Sequence, residues 1–400
     1  MFSDIPINYF SCTHRSIDPL KTIANYEHKL KIAGITRITE ITHLDRVGIP
    51  VFSAIRPTAQ DGGVSIYAGK GATRNQAKAS AMMEGFERYS AEKQPIDDKN
   101  SIIATVNELE NSIHPESLIL PNETKNLDFD SKKIQWTTAI DITDKEEYYV
   151  PSNAIFHPYV PTDSVAIFKG NSNGLASGNV LEESVLHGML EVIERDAWSI
   201  FELSKKNKKQ IEIASIKNPI INSILEKFRE ESIEIKLLDL TADVKIPTML
   251  ASADDTRLKD PALLTIGVGT HLNPEIAIMR ALTEVAQSRA TQIHGTREDT
   301  SRAVFMRKAG YERMKKINKE YFIEEEDKIN LTDIEDNSTN SLKHDIEITV
   351  NELRNNSFDK ILFTNLTREE IGVNVIRMII PGTETYTVDS ERIGNRWMKF

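Results

Sequence analysis

Apolar positions recur along this chain at helical spacing in three places, each just after a glycine-bearing turn. In residues 174–201 (GLASGNVLEESVLHGMLEVIERDAWSIF), Val185, Met189, Val192 and Ile193 fall on one face of a 3.6-residue period, which predicts an amphipathic helix. Residues 69–92 (GKGATRNQAKASAMMEGFERYSAE) and 267–290 (GVGTHLNPEIAIMRALTEVAQSRA) follow the same plan. Aligned on an acid in the second half of each helix, Glu84, Glu191 and Glu284 are equivalent, and the small residues Ala77, Ser184 and Ala277 coincide seven positions earlier. Gly71 and Gly178 share a register that the third copy breaks, so its loop is expected to differ. Asn179 with Glu182, and Thr73 with Gln76, stand where capping boxes would start the helices.

The rest of the pattern alternates. Pro219 opens a helical stretch behind Asn218, a natural N-cap. Residues 233–240 (IEIKLLDL) and 246–255 (IPTMLASADD) read as strands, and residues 359–382 as strand, short helix (TREEIG), strand. The polar, acidic run 324–349 reads as an exposed linker. The fold class is therefore α/β (α+β). The chain divides into an N-terminal α/β segment (1–60), a core holding the three repeats (61–300) and a C-terminal α/β segment (301–400).

Charge and composition narrow the function. A net charge of −11 excludes a general nucleic-acid binder. No apolar run is long enough to span a membrane, and the first residues, MFSDIPINYFSCTHRS, lack the basic start and long apolar run of a signal peptide. A single cysteine, Cys12, rules out an intrachain disulfide framework and a cysteine-built metal site. These features predict a soluble, cytoplasmic protein.

The chemistry lies in the acids. Glu84 and Glu87 share a helix face, and Glu191 and Glu194 repeat the arrangement. One Glu-x-x-Glu-Arg pattern is more often a solvated helix face with local ion pairs. Two, in the same repeated unit, point to a site. Facing carboxylates need cations, and Mg2+ takes oxygen ligands while bridging carboxylates to phosphates. Arg88, Arg195, Lys70 and Arg74 offer positive charge for phosphate, and the turns offer backbone N–H groups. The segment GKGAT matches neither the dinucleotide fingerprint nor the Walker loop. His187, four residues before Glu191 in apolar surroundings, reads as structural.

These segments, with residues 13–57, resemble the YcaO family of ATP-dependent cyclodehydratases and thioamide-forming enzymes. The combination Ser80-x-x-x-Glu84-x-x-Glu87-Arg88 and Asn179…Glu191-x-x-Glu194-Arg195 carries the resemblance. It implies repeated α/β units around a central cavity binding ATP and Mg2+. By position, Glu84, Glu87, Glu191 and Glu194 face the metal, and Arg15, Thr22, Lys70, Ser80, Asn179, Arg195 and Arg289 contact the nucleotide. Arg195, Arg289 and Gln287 are the expected catalytic groups. The implied reaction phosphorylates a peptide amide oxygen so that another atom can replace it. The chain ends in Trp397-Met398-Lys399-Phe400, unlike the proline-rich tail of many ring-forming members, and shows no fused recognition domain ahead of residue 13. The resemblance is therefore strongest to stand-alone archaeal members that thioamidate a glycine of methyl-coenzyme M reductase, whose alpha subunit would be the substrate. It implies a homodimer and a TfuA-like, sulfide-delivering partner. Azoline or macrocycle formation on a ribosomal peptide, and non-catalytic ATP sensing, are the alternatives.

Overall fold

The computed structural model describes residues 1–161, 164–295, 302–325 and 328–400. Its organising unit is a strand, a tight turn and a long helix, used three times. The first unit joins strand Ile66–Lys70 to helix Arg74–Ala91, the second joins Leu175–Gly178 to Leu181–Ser204, and the third joins Thr265–Thr270 to Pro274–His294.

Each of these strands lies at the end of a separate sheet. The first closes an antiparallel sheet of three with Arg37–Glu40 and Val51–Ile55. The second flanks a six-stranded sheet, pairing with Asn374–Ile379 near the C-terminus. The third flanks a five-stranded sheet whose far end is Lys328–Ile329, the one parallel partner in that sheet. Strands from residues 301–400 thus sit in sheets with residues 101–178 and 209–270.

Small residues set how closely each helix lies on its strand. A Cβ on Gly69 would stand 2.0 Å from the Ala81 nitrogen and 2.3 Å from the Ala77 carbonyl oxygen. One on Gly178 would meet the Ser184 nitrogen at 2.8 Å, and one on Gly269 the Ala277 carbonyl oxygen at 2.4 Å. The coincidence of Ala77, Ser184 and Ala277 in the alignment therefore has a packing cause: backbone meets backbone at these positions. The opposite helix faces fill the core. Val185, Met189, Val192 and Ile193 are all buried, as their spacing predicts, with Met82 and Phe86 in the first helix and Ile278 and Leu282 in the third. Each such side chain contributes roughly 1.5–3 kcal/mol by leaving water.

Several local expectations hold and several do not. Thr73 and Gln76 form the predicted capping box, Asn218 caps helix Pro219–Glu230, and strands run over Ile233–Asp239 and Thr248–Asp255. Asn179 is not a cap: the second helix begins after Val180 with no side-chain cap bond. Glu183, not Glu182, reaches back, accepting from the Asn179 backbone N–H at 2.7 Å, while Glu182 accepts from the Ser3 N–H at 2.7 Å. The TREEIG segment is a turn rather than a helix, closed by Gly372 N–H donating to the Arg368 carbonyl at 2.7 Å with Gly372 at φ 67°. The run 324–349 is not a linker throughout. Helix Leu342–Asn355 starts inside it and buries Leu342, Ile346 and Thr349; residues 326–327 lie outside the described residues.

Replacing Gly69 with Ala is expected to force the first helix off its strand and lower stability by about 2 kcal/mol or more, read as a drop in urea midpoint. An unchanged midpoint would show that this contact does not set the helix position.

Candidate functional site

The three units do more than repeat; each hands a polar contact to the next. On the first helix, Glu87 Oε2 accepts from Ser177 Oγ of the second strand at 3.2 Å. On the second helix, Glu194 Oε2 accepts from the Thr270 backbone N–H of the third strand at 3.1 Å. On the third helix, Gln287 Nε2 donates to the Ala68 carbonyl of the first strand. Glu87, Glu194 and Gln287 occupy the same register, three residues past the aligned acids. Lys70 of the first strand also pairs with Glu284 of the third helix. The ring closes around a cavity of about 620 Å³, within the range of roughly 300–1,000 Å³ usual for small-molecule sites.

Glu84, Glu87, Glu191, Glu194 and Glu284 all line this cavity, together with Ser80, Lys70, Arg88, Arg195 and Gln287. The N-terminal segment closes one side with Arg15 and Thr22, whose hydroxyl donates to Asn179 Oδ1 at 2.9 Å. Asn179 in turn donates its amide to Glu183 at 3.0 Å.

The acids are not bare. Arg88 lies 3.3 Å from Glu84, Arg195 3.3 Å from Glu194, and Arg280 3.6 Å from Glu194. Even so, burial pushes the Glu87 carboxyl up to about 8, and the neighbouring Glu191 and Glu84 add to the shift against the opposing pull of Arg88. Burial likewise raises Glu191 and Glu194 despite their arginines. Glu284 is the contrast: burial pushes it up, but Lys70 and Arg195 outweigh this and hold it below the ordinary carboxylate range. His187 is kept neutral, first by burial and then by Arg280, Arg15 and Lys70.

A cavity of raised carboxylates favours a cation, and carboxylate oxygens suit Mg2+ rather than a softer metal. Among the described residues no three His, Cys, Asp or Glu side chains converge into a preformed metal cluster. Glu84, Glu87, Glu191 and Glu194 line the cavity and would be the residues to hold Mg2+, with Lys70, Arg15, Arg195 and Arg280 the cations that would meet phosphate.

Three expectations need correction. Arg289 does not line the cavity. Its guanidinium is fully buried on the far side of the third helix, where Nε donates to Asp45 at 2.8 Å and Nη2 to Asp255 at 3.1 Å. Arg280 takes the cavity place instead. The two arginines are nine residues apart, about half a turn around the helix, whereas Arg280 and Glu284 share a face; this arithmetic was available in the sequence. Arg74 turns outward to pair with Glu40. His187 lines the cavity rather than the core. Glu183 was missed because its role depends on the turn before it: it accepts from Asn179 and from the Ser16 N–H at 2.5 Å.

Two outcomes follow. Because a metal-binding carboxylate must lose its proton, Mg2+-dependent nucleotide affinity should rise with pH up to about 8 and then level off. Glu87→Gln should flatten that rise in calorimetric titrations; a profile unchanged in the variant would exclude Glu87 as the titrating group. Arg289→Met should cost about 3–5 kcal/mol of stability by stranding Asp45 and removing one of the two arginines that pair with Asp255. Below the unfolding transition it should leave nucleotide affinity unchanged, and a large affinity loss in the folded protein would return Arg289 to the site.

Comparison with known proteins agrees with this geometry. The YcaO cyclodehydratase family, ATP- and Mg2+-binding, matches residues 68–384. A protein of Methanothermobacter thermautotrophicus is 56% identical over 383 residues, covering 96% of this chain and 98% of its own length. A protein in the tfuA 3' region of Rhizobium leguminosarum bv. trifolii is 29% identical, covering 92% of this chain and 88% of its own. The solved structure of YcaO from Methanopyrus kandleri bound with AMPPCP and Mg2+ superposes with a TM-score of 0.79 at 28% identity, covering 98% of both chains. With three strand–helix units closed around one acidic cavity and a family match over most of its length, the chain belongs to the YcaO family of ATP- and Mg2+-binding, peptide-modifying enzymes.

Proposed function

We propose that this protein activates a backbone amide of a peptide by phosphorylating the amide oxygen with ATP, and that sulfur then replaces that oxygen to give a thioamide. The observation that carries the reading is the convergence of carboxylates from the first and second helices, with Lys70, Arg195 and Arg280, on one cavity. An amide oxygen leaves poorly, and phosphorylation makes it leave as phosphate. In the reaction, hydrosulfide adds to the carbonyl carbon and the resulting oxyanion attacks the γ-phosphorus. ADP departs, and collapse of the adduct, with loss of the sulfur-borne proton, expels phosphate and leaves C=S. Lys70, Arg195 and Arg280 stabilise negative charge on the transferred phosphoryl. Mg2+ held at Glu84, Glu87, Glu191 and Glu194 neutralises the phosphates when bound.

The sulfur branch is supported by two relatives. One is encoded beside tfuA, which suggests a TfuA-like partner that delivers sulfide, and another belongs to a methanogenic archaeon, which suggests a glycine of methyl-coenzyme M reductase as the substrate. Among the described residues no helix is long and apolar enough to cross a membrane. Ring closure is the second reading, favoured by the family's description as cyclodehydratases.

Incubation of the protein with Mg-ATP, sulfide and a glycine-containing peptide of the reductase alpha subunit is expected to release ADP and exchange one oxygen for sulfur in the peptide mass. Loss of water instead would assign ring formation. Absence of any peptide-dependent ADP would overturn amide activation. Glu191→Gln should weaken Mg-ATP binding at least about tenfold while the protein stays folded.

A further inference from the structure

Behind the wall that carries Glu191 lies a second, much smaller pocket of about 50 Å³. Its charged lining is two arginines, Arg377 and Arg392, and no carboxylate lines it. Both side chains are buried, at 3% and 5% exposure. Arg377 projects from strand Asn374–Ile379 and donates Nη2 to Asn171 Oδ1 at 3.3 Å, while its Nε and Nη1 have no partner among the described residues. Arg392 donates Nε to the Ile119 carbonyl at 2.8 Å and lies 3.9 Å over the Phe168 ring. Neither arginine makes an ion pair with a described carboxylate. The buried Thr385 Oγ1, on the same wall, is also unpartnered.

Two buried cations sharing one small pocket is an expensive arrangement. Burying a charge costs several kcal/mol unless a counter-charge and hydrogen bonds meet it. The carboxylates whose charge reaches Arg377 are Glu191 and Glu87, and they belong to the main cavity, where Mg2+ would claim them. Water could satisfy the free N–H groups but not the charge. The unpartnered Nε–H and Nη1–H of Arg377 stand on different edges of the guanidinium, and each is a charged donor that suits a small anion. At roughly 10–15 Å³ per ordered water, the pocket has room for about three to five water-sized atoms and none for a nucleotide.

We propose that Arg377, Arg392 and Thr385 form a binding site for a small inorganic anion, separate from the nucleotide cavity and coupled to it through Arg377. Anion binding itself does not depend on the sulfur reading, whereas the identity of the anion does: hydrosulfide entering the reaction and phosphate leaving it share the required chemistry.

The test uses the full chain with Mg2+ and AMPPCP. Crystals soaked in sodium bromide are expected to show an anomalous peak between Arg377 and Arg392, lost in Arg377→Met and weakened in Thr385→Val. Bromide at surface cations but not in this pocket, or a peak unchanged in both variants, would overturn the proposal. Calorimetry with sodium hydrosulfide and with sodium phosphate separates the sources. The anion that belongs here should bind the wild type at least about tenfold more tightly than Arg377→Met, the loss expected for charge-assisted hydrogen bonds. If neither binds, the bromide marks an adventitious ion only and the proposal fails. Should Arg377→Met not fold, Thr385→Val, which removes only a hydroxyl, carries the comparison. Mg-AMPPCP affinity measured on the same samples shows whether the nucleotide site is intact, so a failed anion site leaves the proposed activity untouched.

Discussion

The closed ring of contacts from each helix to the next strand is the constraint on which the rest depends. Glu87 to Ser177, Glu194 to Thr270 and Gln287 to Ala68 are weak bonds one by one. Together they fix three otherwise separate sheets around one centre, because each sheet contributes only its edge strand to the ring. The ring also explains why the acids are buried without being in the core. They occupy the inner helix faces, and the apolar residues of the same helices hold the outer faces against three hydrophobic clusters. Positive partners then become obligatory, and the site supplies them from several segments: Arg15 from the N-terminal arm, Lys70 from a strand end, and Arg88, Arg195 and Arg280 from helices.

Electrostatics distinguishes the acids that the repeat makes look alike. Glu87 and Glu191 are raised by burial, so they gain most from a divalent cation. Glu284 is already neutralised by Lys70 and sits lower, so its ion pair bridges the first and third units. Arg377 completes the picture from behind, as a buried cation facing the same carboxylates from outside the cavity.

Much of this was legible in the sequence, and the failures are instructive. Periodicity located the three long helices, and the alignment of Ala77, Ser184 and Ala277 marked real backbone contacts. Arg289 lies outside the cavity because it stands half a turn around the helix from Arg280, a phase that the family resemblance does not carry. Asn179 looks like a cap because residue type and spacing fit, but its side-chain oxygen accepts from the Thr22 hydroxyl and its amide donates to Glu183 instead. The helix at Leu342–Asn355 was hidden because its polar face dominates the composition, although Leu342, Ile346, Val350 and Leu353 keep the period. Arg377 gave no local signal: its importance comes from the pairing of Asn374–Ile379 with Leu175–Gly178, nearly 200 positions away in the chain. The ring itself was equally out of reach, since sequence shows that units repeat but not that each touches the next.

The central claim is that all three units build one Mg-nucleotide site. A crystal structure of this chain with AMPPCP and Mg2+ tests it most directly. The account predicts the phosphates inside the ring, with Mg2+ on carboxylates from both the first and the second helix and with Lys70, Arg195 or Arg280 on phosphate oxygen. Nucleotide bound outside the ring, or metal held by the acids of a single helix, would contradict it.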